Sequence, residues 1–173
     1  MRVLEIRRHA MRAIPGQHLT QAGVNLARRI GHTIGPFDRV VTSTLPRAFE
    51  TAIAMGLAVD QQLEQLAVMG PEVNAVVQWD AGFAAWARAT ATSAVVGMYA
   101  RRMADLWRSI ARTVPDNGRV LIISHGGIVE AGTIGCCLPD VPVLDEAFCS
   151  YCEGTRLTLD GDKVIDVEIL RNQ

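Results

Sequence analysis

Apolar and polar positions alternate between two periods along the chain, and the places where the period changes mark its elements. The chain opens with an apolar run (Val3, Leu4, Ile6) that stops at Arg7, Arg8 and His9, which predicts a buried strand ending in a basic pair and a histidine. A turn-rich stretch with Pro15 and Gly16 follows. Thr20 then caps a helix expected to reach about Ile34, with Val24, Ala27, Ile30 and Ile34 on one face and Gly35-Pro36 as its stop. Arg39 to Thr42 reads as a short β-branched strand, and a second helix starts near Pro46 and ends at Gly56. From Leu57 to about Trp79 no period holds, and Gly82 to Arg88 suits a short helix. Ala94 to Val114 keeps helical spacing through Tyr99, Met103, Leu106, Trp107, Ile110 and Val114. Val120 to Ile123 is apolar at every position, as a strand buried on both faces requires, and Gly126-Gly127 opens a helix to about Cys137. The chain closes with a hairpin, Arg156 to Asp160 and Lys163 to Leu170 around Gly161-Asp162.

Strand–helix alternation followed by a hairpin predicts an α/β fold. It is a three-layer sandwich with a mainly parallel sheet, an antiparallel edge and helices on both faces. The 173 residues, 49% of them hydrophobic, suit a single domain over residues 1–173 with a full core. A net charge of -1 gives no reason to expect nucleic acid or an anionic membrane. The charged start carries no signal-peptide pattern and no apolar run is of membrane-spanning length, so a cytoplasmic location is expected. The four cysteines, Cys136, Cys137, Cys149 and Cys152, lack the usual zinc spacing and read as reduced, mostly buried thiols.

Three strands end in polar residues: Arg8-His9, Thr42-Ser43 and Ser124-His125. In a parallel sheet those ends share one rim, where ligands of open α/β sheets bind. Arg47, one helical turn past Ser43, reaches the same place. Two guanidiniums with little nearby acid call for an anion, and their planar forks fit phosphate oxygens. Backbone amides at Gly126 and Gly127 can approach the same anion. A neutral imidazole can attack phosphorus while a second one holds the transferring group.

Arg8-His9-Ala10, Leu19-Thr20-Gln21-Ala22-Gly23, Ser43-Thr44-Leu45-Pro46-Arg47-Ala48-Phe49-Glu50-Thr51 and Ser124-His125-Gly126-Gly127 stand in this order along the chain. They resemble the motifs of the histidine phosphatase superfamily, the phosphoglycerate-mutase-like group, in its small phosphatase branch. The resemblance implies a metal-independent phosphatase without cofactor, in which His9 becomes phosphohistidine. Arg8, Arg47 and His125 would hold the phosphoryl group. Ser43, Gly126 and Thr20 would complete or shape the pocket, and Glu50 would orient its neighbours. Arg7 departs from the family's uncharged residue, and either pairs with Glu5 or widens the basic patch.

The family's general acid has no clear counterpart. The position expected for it holds Gln65, which leaves Glu64 and Glu72 as catalytic candidates, with Asp80 as a further one. Some members that act on phosphoprotein manage without such an acid. The expected function is hydrolysis of a small phosphorylated substrate. A phosphoprotein (phosphohistidine) phosphatase and a non-catalytic phospho-ligand-binding module are the alternatives. His18 and His32 read as solvated, Trp79, Trp86 and Trp107 as core or pocket wall, and the edge hairpin can support a homodimer.

Overall fold

The computed structural model describes residues 1–137 and 146–172. Its strands are β1 (Arg2–Arg8), β2 (Arg39–Ser43), β3 (Gln61–Leu63), β4 (Arg119–Ser124), β5 (Gly154–Asp160) and β6 (Lys163–Leu170). Its helices are α1 (Gln21–Gly31), α2 (Pro46–Ala54), α3 (Pro71–Asn74), α4 (Phe83–Thr92), α5 (Ala94–Ala111) and α6 (Ile128–Cys137), with a 3-10 turn at Glu64–Leu66. The described strands form one sheet in the order β3-β2-β4-β1-β5-β6. β3, β2, β4 and β1 run parallel, while β5 is antiparallel to both β1 and β6. This is the α/β sandwich with an antiparallel edge that the periodicity predicts.

The two-residue period of β4 sorts its side chains between the two helical layers. Val120 and Ile122 pack with Trp86, Tyr99, Met103 and Trp107 of α4 and α5, and with Ile128 of α6. Leu121 and Ile123 face the other way, onto Ala27 of α1 and Ala48 and Ala52 of α2. Among the described residues no helix is long and apolar enough to cross a membrane.

β1 carries a charge inside the sheet. Glu5 is wholly buried, and its carboxylate meets Arg7 at 2.7 Å and Arg156 at 3.1 Å. Arg7 also donates to the Cys152 carbonyl at 2.7 Å. Of the two readings of Arg7, the structure shows the pair with Glu5. Removing one member of such a pair leaves an uncompensated buried charge, which is why both ends are kept together.

Element ends differ from the periodicity in several places, α4 running on to Thr92 where a helix to Arg88 is expected. α1 stops at Gly31, three residues before Ile34, where its backbone crosses that of Met55 so closely that a Cβ on Gly31 would lie 2.2 Å from the Met55 carbonyl oxygen. Ile34 still packs against the same cluster from the turn that follows. α5 likewise ends at Ala111, with Val114 buried beyond it. The stretch from Leu57 to Trp79 holds a three-residue strand, a 3-10 turn and a single helical turn, each too short to display a period.

Candidate active site

The parallel register of β1 and β4 sets Arg8 opposite Ser124, so the next residues, His9 and His125, emerge side by side at the rim. The His9 amide donates to the Ser124 carbonyl at 2.9 Å, and the two imidazole centroids lie 5.1 Å apart. His9 Nδ1 is 2.7 Å from the Ala10 carbonyl oxygen, which can only accept, so Nδ1 carries the proton. Nε2 is therefore unprotonated, and its lone pair accepts from Arg47 Nε at 3.2 Å. His125 Nε2 is 2.7 Å from Ser43 Oγ. With that hydroxyl as donor, the His125 proton sits on Nδ1, which is buried and unpartnered among the described residues. Arg8 Nε is buried and unpartnered in the same way. Orphaned donors of this kind cost about 1–3 kcal/mol each, and two beside one histidine pair call for an acceptor.

Arg8 is held on three sides. Its guanidinium donates to the Cys149 carbonyl at 3.1 Å and lies between the rings of Trp79 (4.7 Å) and Tyr151 (4.4 Å). Trp79 meets Phe148 edge-on at 5.7 Å, and a Cβ on Gly126 would come within 2.8 Å of the Trp79 ring. Glycine there lets the turn after His125 come close against the edge of the indole. The wholly buried Glu130 joins the parts, accepting from Gly127 N–H and from Cys149 N–H, both at 2.7 Å. The Gly127 amide is thereby committed to Glu130 rather than to the ligand role the sequence suggests. Burial pushes the Glu130 carboxyl upward, while the two amides and Arg8 pull it down.

On the other flank, Thr51 Oγ1 donates to the Arg47 carbonyl at 2.6 Å and accepts from the Ala10 amide at 2.9 Å, fastening α2 to the end of β1. Arg47 also donates to the Gln17 side-chain oxygen. Glu50 accepts from the His18 ring and, at 2.8 Å, from the Leu19 amide, so it orients the loop beside the site. Thr20 spends its hydroxyl capping Gly23 at 3.0 Å. Glu64 accepts from Thr44 Oγ1 at 2.5 Å. Together with Glu72 it lines a groove of about 850 Å³ against Val95 and Met98 of α5. Among the described residues no carboxyl group is hydrogen-bonded to Arg8, His9, Arg47 or His125.

Tyr151, Gln17 and Glu130 are site neighbours outside the motifs, and Thr51 lies within one whose reading gives it no role. Glu130 alone left a signal, as the single acidic residue in an otherwise apolar helix. Trp86 and Trp107 belong to the core, whereas Trp79 is pocket wall. The four cysteines are buried and free, and burial raises Cys136 and Cys152 to about 12 and Cys137 to about 11. Among the described residues no cluster of His, Cys, Asp and Glu is arranged to hold a metal ion.

Burial, reinforced by the charges of Arg47, Arg8 and Arg12, lowers the pKa of His9 to about 3, although its bond to the Ala10 carbonyl opposes the shift. Burial and then His9, Arg47, Arg8 and Arg12 lower His125 to about 2. Arg8 and Arg47 are also lowered, chiefly by burial, yet guanidiniums stay charged. Both imidazoles are therefore neutral at ordinary pH. The unfolded chain takes up protons on these histidines near pH 6.5 while the folded chain does not. Their contribution is therefore present above that pH and lost as pH falls toward 3. Chemical denaturation should show stability dropping below pH 6.5 by about 1.4 kcal/mol per pH unit for each histidine. A flat profile from pH 7 to 4.5 would contradict neutral, buried imidazoles.

A paired-histidine, arginine-flanked rim on a parallel α/β sheet defines an oxyanion-handling class of proteins. Within it, this chain belongs to the histidine phosphatase superfamily (branch 1), whose model matches residues 7–168. Among solved structures it is similar to phosphoserine phosphatase from Entamoeba histolytica in complex with 3-phosphoglyceric acid. The TM-score is 0.70 at 15% identity, covering 100% of this chain and 98% of that one. It is also similar to a mycobacterial glucosyl-3-phosphoglycerate phosphatase in complex with VO3, with TM-score 0.68, 19% identity and 98% of each chain covered. The protein histidine phosphatase SixA, complexed with tungstate, gives TM-score 0.56 and 18% identity over 96% of this chain and 93% of that one. No curated protein matches the chain in sequence. Family membership makes the protein a phosphatase, and so a hydrolase.

Proposed function

We propose that the protein hydrolyses a phosphomonoester through a phosphohistidine on His9. One observation carries this reading: His9 Nε2 is held unprotonated by the bond from Nδ1 to Ala10, with its lone pair turned to Arg47 within a ring of cationic and neutral donors. In the first step the Nε2 lone pair attacks phosphorus and the bond to the leaving oxygen breaks, its electron pair departing with that oxygen. In the second, water attacks phosphorus, the P–N bond returns its pair to Nε2, and the water proton ends on the released phosphate or solvent. Phosphoryl transfer asks mainly for positioning and charge stabilisation. Arg8, Arg47 and the His125 Nδ1–H supply donors for the three equatorial oxygens, with Ser43 holding His125 in the required tautomer. The carboxyl groups that resemblance offers as general acids, Glu64 and Glu72, would serve only a leaving group directed toward their groove. The substrate class is a small phosphorylated molecule, in keeping with the phosphorylated ligand and the oxyanions that the similar structures hold.

Among the described residues no carboxyl group is bonded to the histidine pair, which also favours a second reading, a phosphohistidine phosphatase, whose leaving group needs less help. Rapid quenching during turnover of labelled phenyl phosphate in excess EDTA tests the intermediate shared by both. Phosphate should be trapped on the chain as an acid-labile, base-stable adduct. Turnover without any trapped label, or ligand retention without turnover, would overturn the covalent route, and the latter would indicate a phospho-ligand-binding module.

A further inference from the structure

Beside the phosphoryl pocket lies a surface that the two-step chemistry does not use. Trp79 and Phe148, joined edge to face, are 41% and 37% exposed. Tyr151 continues the wall, its ring centroid 6.0 Å from that of His9. Trp79 is placed by Arg8 on one side and by Gly126 at its edge, so this apolar face is fixed directly at the mouth of the site. Exposed aromatic surface at the rim of a polar pocket marks a contact for an apolar part of the ligand.

Asp80 acts on the charge of Arg8 from an exposed position, and two other carboxyl groups nearby are otherwise occupied. Glu130 is spent on two backbone amides, and Glu64 is bonded to Thr44. An alkoxide, whose conjugate acid has a pKa near that of water at about 15.7, leaves very slowly without a proton. A phenolate, with a conjugate acid of pKa about 10, leaves far more readily without one. Three arginines, Arg8, Arg12 and Arg47, act on the same histidines and favour an anion leaving as such.

Resting on the phosphatase reading above, we infer that the substrate is a phenolic phosphomonoester whose ring lies against Trp79 and Phe148. The P–O bond breaks as His9 Nε2 bonds to phosphorus, the electron pair stays on the phenolate oxygen, and solvent protonates it afterwards. The phenol can belong to a small aryl phosphate or to a phosphotyrosyl side chain, and both carry the same recognised group.

The test compares kcat/KM of the full chain for substituted phenyl phosphates, a phosphotyrosyl peptide, glycerol phosphate and acetyl phosphate. Acetyl phosphate serves as a substrate with a good leaving group and no ring. Phenyl phosphate should exceed glycerol phosphate by about a hundredfold or more, and rates should fall steeply as the pKa of the leaving phenol rises. The variant Phe148→Ser should lower the phenyl-to-acetyl ratio roughly tenfold, the scale of one aromatic contact. Preference between the small esters and the peptide identifies the source of the phenol. Equal rates on phenyl and glycerol phosphate, or a ratio unmoved by Phe148→Ser, would overturn this inference while leaving the phosphatase reading standing. No turnover of acetyl phosphate or of any aryl ester would overturn both.

Discussion

The variant His9→Ala should release phosphate from phenyl phosphate at least about 10⁴-fold more slowly than the wild type, a loss typical of removing the nucleophile from a covalent mechanism. Alanine removes the imidazole lone pair that the structure places beside Arg47. The fold should survive, because His9 contributes to the sheet through its amide bond to Ser124, which alanine retains. Circular dichroism and the denaturation midpoint check that point. Retention of more than about a tenth of the wild-type rate in a folded variant would mean that phosphorus is attacked by something other than His9.

Arg8→Ala and Arg47→Ala should each cost roughly 10²–10³ in kcat/KM, the scale of losing one preorganised donor to a developing charge. Arg8→Lys should recover little. An ammonium has no planar face for Trp79 and Tyr151 to hold, and it cannot donate to the Cys149 carbonyl while presenting a second N–H in a fixed direction. Arg47 is more exposed and carries fewer restraints, being tied to His9 and Gln17, so Arg47→Lys should recover more. The inhibition constant for vanadate gives an independent reading, and should rise by a similar factor in Arg8→Ala. If both alanine variants bind vanadate normally, the guanidiniums are structural cations and not phosphoryl ligands.

The sheet and the histidine pair were legible because each depends on short-range patterns. Val120 to Ile123 is apolar throughout, Thr20 and Pro46 mark helix starts, and Arg8-His9 and Ser124-His125 end strands whose parallel register brings them together. What escaped depends on long-range assembly. Tyr151 reaches Arg8 from a segment with no secondary structure of its own. Thr51 looks like any helical threonine until its hydroxyl is seen bridging Ala10 and Arg47. Motif spacing could not choose between Glu64 and Glu72, and the structure turns both toward one groove, with Glu64 held by Thr44. The sign of Arg7 was ambiguous because its partners Glu5 and Cys152 are 2 and 145 positions away, only one of them within reach of local reasoning.

The place of β1 in the sheet also has a bearing on how the molecule comes into being. This strand leaves the ribosome well ahead of its two neighbours, β4 and β5, which begin only at Arg119 and Gly154. The bond from Arg8 to the Cys149 carbonyl spans 141 positions. During synthesis an apolar strand bearing the nucleophile must wait through more than a hundred residues before it can be enclosed, and such long-range pairing makes folding slow. Nascent chains that already contain all four sequence motifs therefore lack Cys149 and Tyr151, two of the three groups that hold Arg8. The site is therefore completed late, when the β5–β6 hairpin docks against β1 and brings Cys149 to Arg8.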